Sequence, residues 1–137
     1  MIYVFTDGGA RGNPGPAAIG VHITDEKGSV LCGFGETIGN ATNNVAEYKA
    51  VNAAFAWLIE NKQALALHKE IRVFLDSLLL VSQINRVYKV KNENLRELLD
   101  SLRQKEQQIL LPVRYAHIPR EQNKKADYFV NQALDSR

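Results

Sequence analysis

The segment from Ile71 to Leu75 reads as one apolar strand that stops at Asp76, and no other feature restricts the fold as much. Taken as continuous, the run predicts a strand buried on both faces, the situation of a central parallel strand. A parallel partner is reached only through a crossover of a dozen or more residues, usually a helix. The flanking sequence supplies such crossovers. Before the run, Val51, Ala54, Phe55 and Leu58 repeat at helical spacing within Val45 to Ile59. After it, Ser77 to Ile84 predicts a short helix. Leu95, Leu98, Leu99 and Leu102 then mark the inward stripe of a longer helix over Asn92 to Gln108.

The N-terminal part has a different rhythm. Ile2 to Thr6 is rich in β-branched and aromatic residues and closes on Asp7-Gly8-Gly9. Ala18 to Thr24 alternates around Ile19, Val21 and Ile23, and Val30 to Glu36 follows a hairpin-like Asp25-Glu26-Lys27-Gly28 connection. Three strands with short links predict an antiparallel meander. Pro112 to Ile118 predicts a last strand, and Asn123 to Leu134 a last helix with Ala126, Val130 and Ala133 or Leu134 inward. The order βββαβααβα is that of an α/β fold. A five-stranded mixed sheet, three antiparallel strands then two parallel, carries helices on both faces. A chain of 137 residues with 45% hydrophobic content suits one domain over residues 1–137.

Charged residues make up 23% of the chain, which excludes a disordered polyelectrolyte, and the net charge of +2 selects no partner class. A nucleic-acid partner would require basic residues gathered locally. The single cysteine, Cys32, cannot form a disulfide within the chain and is expected to pack in a strand. No run approaches the ~18 apolar residues of a membrane span. The start MIYVFTDGG has no basic region ahead of its apolar run, so no signal peptide is expected. The expectation is a cytoplasmic monomer without a membrane partner.

Asp7 and Asp76 fall at the C-terminal ends of predicted strands, the rim at which open α/β sheets bind ligands. Glu47 and Asp127 fall near the starts of predicted helices, which begin at the same rim and whose positive ends favour an acid. Clustered carboxylates suit magnesium or manganese, and two such ions ~4 Å apart suit phosphodiester hydrolysis. Each acid also has an ordinary alternative. Asp7 fits a turn, Glu47 a first helical turn, Asp76 a helix cap, and Asp127 a solvated helix face. Spacing alone does not separate these four from acids such as Asp100 and Glu106.

Four segments make the selection. TDGGARGNPGPAAIG (residues 6–20), TNNVAEYKAV (42–51), LDSLLLVSQ (75–83) and HIPREQNKKADYFVNQALD (117–135) together resemble, in order and across the whole chain, the signatures of type 1 ribonucleases H. The resemblance implies an endoribonuclease that hydrolyses the RNA strand of RNA–DNA hybrids and leaves 5′-phosphate and 3′-hydroxyl ends. It implies that Asp7, Glu47, Asp76 and Asp127 are the metal ligands and hold two Mg²⁺, with Mn²⁺ an alternative of the same donor preference. His117, ten residues before Asp127, matches the loop histidine that moves protons or aids product release; the plain alternative is a histidine packed at a strand end. Gly8, Gly9, Asn13, Asn43 and Asn44 are implied to face the hybrid, and Thr42 a DNA phosphate. Asn43 and Asn44 equally fit turn and cap roles.

The chain departs from the family pattern in three places. The second residue after the third acid, usually polar, is Leu78. Asn85 to Asn94 is too short for the basic protrusion of some members, leaving Arg86, Lys89 and Lys91 as the charges there. No N-terminal hybrid-binding domain is expected. The chain thus resembles compact members from archaea and some bacteria, with modest, salt-sensitive affinity expected. Arg120, Lys124 and Lys125 either steer phosphate or are solvated. Trp57, His22 and His68 are expected to be structural or surface residues. Two rival readings stay open: a broader nuclease that also takes double-stranded RNA, and a hybrid-binding module without catalysis.

Overall fold

The computed structural model describes residues 1–137. Three strands, β1 (Ile2–Ala10), β2 (Gly15–Asp25) and β3 (Val30–Ala41), are followed by α1 (Asn43–Glu60), β4 (Ile71–Leu75), α2 (Leu78–Ile84), α3 (Glu93–Gln108), β5 (Val113–His117) and α4 (Lys124–Asp135). Short 3-10 turns precede β4 and α4. The sheet order is β3-β2-β1-β4-β5. β1, β2 and β3 pair antiparallel, while β4 runs parallel to both β1 and β5. The expected architecture and element order are therefore present. β3 runs five residues further than expected, to Ala41, because the stretch from Thr37 continues to pair with β2 past a register shift at Ala17/Ala18.

Helices α1, α2 and α3 cover one face. Ile2, Val4, Val21, Ile23, Ile71 and Val73 of the sheet join Tyr48, Phe55, Leu58, Leu80, Ile84 and Leu102 of the helices in one core. Helix α4 lies on the opposite face, where Val130 and Leu134 pack on Ala18. It crosses β2 closely: a Cβ on Gly20 would strike the backbone of Ala126. No helix is long and apolar enough to cross a membrane.

The expectation that β4 is buried on both faces fails. Ile71, Val73 and Leu75 are fully covered, but Arg72 and Phe74 face the side that α4 leaves open. The run is interrupted by Arg72, so its pattern is alternation rather than continuity. Phe74 instead stacks on Phe5, with centroids 5.1 Å apart, and meets Tyr3 edge-on. Arg72 and the neighbouring Arg114 pair with Glu70 at 3.2 and 2.5 Å. Cys32 and Trp57 pack, partly buried, against the main core, as expected of both.

Candidate functional site

The expected turn at Asp7-Gly8-Gly9 is strand instead, because these residues go on pairing with β2 to Ala10; Asp7 thus lies within β1, just past its last pairing with β4, and Asp76 directly follows β4. Because β1 and β4 are parallel and in register through Phe5 and Phe74, both chains deliver their acids to one rim. Glu47 comes from the second turn of α1. That helix starts at Thr42, whose side chain accepts from Val45 N–H, and sits so close to β1 that a Cβ on Gly8 would strike the backbone of Ala46 and Glu47. Glycine at position 8 thus lets α1 bring Glu47 against the strand. One carboxylate oxygen each from Asp7, Glu47 and Asp76 lies within 4.8 Å of the others.

The fourth acid, Asp127, stands in the first turn of α4. It lies outside that tight group of three but lines the same crevice as Asp7, Glu47 and Arg120, and its charge acts on Asp7. Burial, then the charges of Asp76, Asp127 and Glu47, push the Asp7 carboxyl up to about 8, against the Gly8 N–H that favours its ionised form. Glu47 is pushed up to about 7 by burial and by Asp76, with the Ser77 hydroxyl and Arg120 pulling the other way. Two like charges ~4 Å apart repel by roughly 4 kcal/mol at an effective dielectric of ~20. The cluster is therefore tolerated only with cations among the oxygens or with protons on some of them. Glu47 Oε2 is buried and has no hydrogen-bond partner, as is Thr6 Oγ1 beside it.

His117 ends β5, level with Leu75, so it stands at the same rim as Asp76, exposed and without a hydrogen bond to the acids. Asn13 and Asn43 are interlocked. Asn43 Oδ1 accepts from Ala10 N–H at 2.8 Å, and Asn13 Oδ1 accepts from Asn43 N–H at 3.0 Å. Both amide oxygens are thus used within the protein, which leaves the two NH₂ groups as donors for another molecule. Thr42 is the α1 cap, Asn44 is exposed, and Gly9 opens on the crevice. Gly8 is buried, and the approach of α1 accounts for it. Leu78 is 61% exposed at the start of α2, beside the acids rather than in the core.

Two residues of the site escaped the sequence reading. Ser77 caps α2 by accepting from Leu80 N–H, and its hydroxyl, in the same crevice as Glu47, favours the ionised form of that acid. Asn123 is buried and donates to both Thr6 O and Asp76 Oδ2, at 2.9 and 3.1 Å. Ser next to a strand-end acid is a visible cap signal. Asn four residues before Asp127 also reads only as a cap, which conceals its inward turn.

The family described as Reverse transcriptase-like matches residues 5–133. Ribonuclease HI of Halobacterium salinarum is 34% identical over 98% of this chain and 64% of its own length. The crystal structure of that archaeon's RNase H1 superposes with a TM-score of 0.89 at 33% identity, covering 99% of this chain and 98% of that one. LC11-RNase H1, solved in complex with an RNA/DNA hybrid, superposes with a TM-score of 0.92 at 43% identity, covering 99% and 98%. The Mycobacterium tuberculosis protein Rv2228c, described as bifunctional, is 35% identical over 98% of this chain, which spans only 36% of its length. Matching sequence along almost all of the chain, the same compact fold and an acidic cluster at the sheet rim leave one assignment: the chain belongs to the type 1 ribonuclease H family.

Proposed function

We propose that the protein is an endoribonuclease that hydrolyses the RNA strand of RNA–DNA hybrids, giving 5′-phosphate and 3′-hydroxyl ends. The observation that carries this reading is the convergence of Asp7, Glu47 and Asp76 oxygens within 4.8 Å at the sheet rim, in a chain of this family. The similarity to LC11-RNase H1, whose structure contains a hybrid, supports the substrate.

The donor set suits divalent cations. It offers hard carboxylate oxygens, an unpartnered buried Glu47 Oε2, and a charge that otherwise forces protons onto Asp7 and Glu47. In this reading Asp7, Glu47, Asp76 and Asp127 hold two Mg²⁺, and Mn²⁺ fits the same oxygens. Bound there, the ions neutralise the acids and stabilise charge on the scissile phosphate and the leaving oxygen. The chain's own residues supply the rest. The Ser77 hydroxyl and the charge of Arg120 favour the ionised form of Glu47. His117, at the same rim, exchanges a proton with the leaving 3′ oxygen in this reading. The NH₂ groups of Asn13 and Asn43 donate to 2′-hydroxyl oxygens or base edges, the contacts that distinguish RNA. Thr42 meets a DNA phosphate, and Asn44 and Gly9 border the same surface.

A panel of labelled RNA–DNA, RNA–RNA and DNA–DNA duplexes, with Mg²⁺ and with EDTA, tests the proposal. Cleavage confined to the RNA strand and lost in EDTA is the expected result. Comparable cleavage of RNA–RNA would make the enzyme a broader duplex nuclease. Hybrid binding without cleavage in Mg²⁺ would make it a binding module.

A further inference from the structure

Asn123 occupies the N-cap position of α4, where an asparagine ordinarily turns its amide oxygen back onto the first turn of the helix. Thr42, Ser77 and Asn92 do this at the starts of α1, α2 and α3. Asn123 does not cap α4 with its side chain. Its side chain points inward and is 1% exposed. One Nδ2 proton goes to the carbonyl of Thr6, the residue before Asp7, and the other to Asp76 Oδ2. Both partners accept only, so the amide has one possible orientation. That orientation leaves Asn123 Oδ1 buried without a partner. A capping bond would have satisfied that oxygen, so the fold carries an unmet acceptor in order to keep both donors on the rim.

We propose that Asn123 is a positioning residue for the metal-binding acids. It turns the Asp76 carboxylate toward Asp7 and Glu47 and ties α4 to the ends of β1 and β4. The tie extends to Asp127, whose N–H donates to the Asn123 carbonyl one helical turn on. Asp76 and, through Thr6, Asp7 are thereby referenced to the side chain of one residue, whose backbone carbonyl also anchors the helical turn that carries Asp127. The proposal rests on the divalent-cation reading above, and outer partners of metal ligands commonly control affinity by about 10–100-fold.

The test uses Asn123→Leu, which keeps the volume and removes both donors, together with Asn123→Ala, in the full chain. Three quantities are read: the Asp76 side-chain position in metal-free crystals, Mg²⁺ and Mn²⁺ affinity by calorimetry, and the hybrid-cleavage rate against Mg²⁺ concentration. The expected result is that Asp76 leaves its present orientation and metal affinity falls about 10–100-fold in both variants. The rate should then recover largely at high Mg²⁺, so that half-saturation moves more than kcat. An unmoved Asp76 with metal affinity within about twofold of wild type in Asn123→Leu, and only a lower Tm, would overturn it. The wild-type protein offers a further check that needs no variant: the two Asn123 amide protons should exchange slowly with solvent, and exchange as fast as that of an exposed amide would equally overturn the proposal. If wild type takes up no divalent ion, the functional reading fails, while the Asp76 orientation in Asn123→Leu still decides the role of Asn123.

Discussion

Two regions of this protein bury polar groups, and they treat them in opposite ways. Between α1 and α3, Asn52 donates to the carbonyls of Tyr48 and Leu98 and accepts from Lys105, whose ammonium also reaches Ser101. There every side-chain group of the buried amide is partnered. At the acidic rim, Thr6 Oγ1, Glu47 Oε2 and Asn123 Oδ1 are all buried and none has a partner. The interior between the helices is complete in itself. The rim leaves three such atoms unmet, and its repelling acids are a charge that a cation would offset. Unmet hydrogen-bonding capacity thus separates a binding site from a structural joint, although both are buried and polar.

The largest effect that can break this contrast comes from the acids. Asp7→Asn and Asp76→Asn should each lower hybrid cleavage by several orders of magnitude while circular dichroism stays unchanged. In EDTA the same variants should melt above wild type, since each removes a repelling charge. Wild-type turnover in Asp76→Asn would show that the rim is not the catalytic centre. In the other region the signs reverse. Asn52→Leu strands the Leu98 carbonyl and Lys105, so stability should fall by about 1–3 kcal/mol, with kcat in saturating Mg²⁺ unchanged.

Acid titration sharpens the same comparison. Asp7 and Glu47 have raised carboxyl pKa values in the metal-free fold, so folding takes up protons there. That contribution is fully present below the ordinary carboxylate range and is lost as pH rises through about 7 and about 8. In EDTA, Tm should therefore decline from pH 5 to pH 9, and Asp7→Asn should flatten the decline. A Tm that rises over this range would mean the acids are not gathered as described. A smaller effect belongs to His117→Ala, expected to slow cleavage by roughly 10²-fold and to change its pH profile; an unaltered rate at every pH would reduce His117 to a strand-end residue. The smallest concerns Leu78, exposed beside the site. Leu78→Gln should lower KM for hybrid by roughly two- to tenfold, the worth of one added hydrogen bond, and an unchanged KM would show that no substrate passes there.

The sequence carried the element order because alternation and helical spacing are local properties, legible wherever one face is buried. It misled at β4, where Arg72 was absorbed into an apolar run and the open face went unseen. The acids were individually ambiguous. Asp76 was marked by its strand end and Asp7 by an expected end that β1 runs past, but Glu47 and Asp127 look like ordinary helix acids until the family motifs single them out. Asn123 was placed only as the first residue of the last helix, and its inward side chain was not visible in the sequence. Gly8 was assigned to substrate approach, whereas the helix pressed on it gives a sufficient packing reason.

By itself the sequence determined the strands and the helices, since these depend on residue type and near neighbours along the chain, and its family motifs singled out the four acids. Only the tertiary structure decided that Asp7, Glu47 and Asp76 meet within 4.8 Å while Asp127 stands beyond that group. It alone decided that Asn123 looks inward. The reason is physical: desolvation and mutual repulsion depend on distances between groups up to 120 residues apart in the chain, and those distances exist only once the sheet and its two helical layers have closed around them.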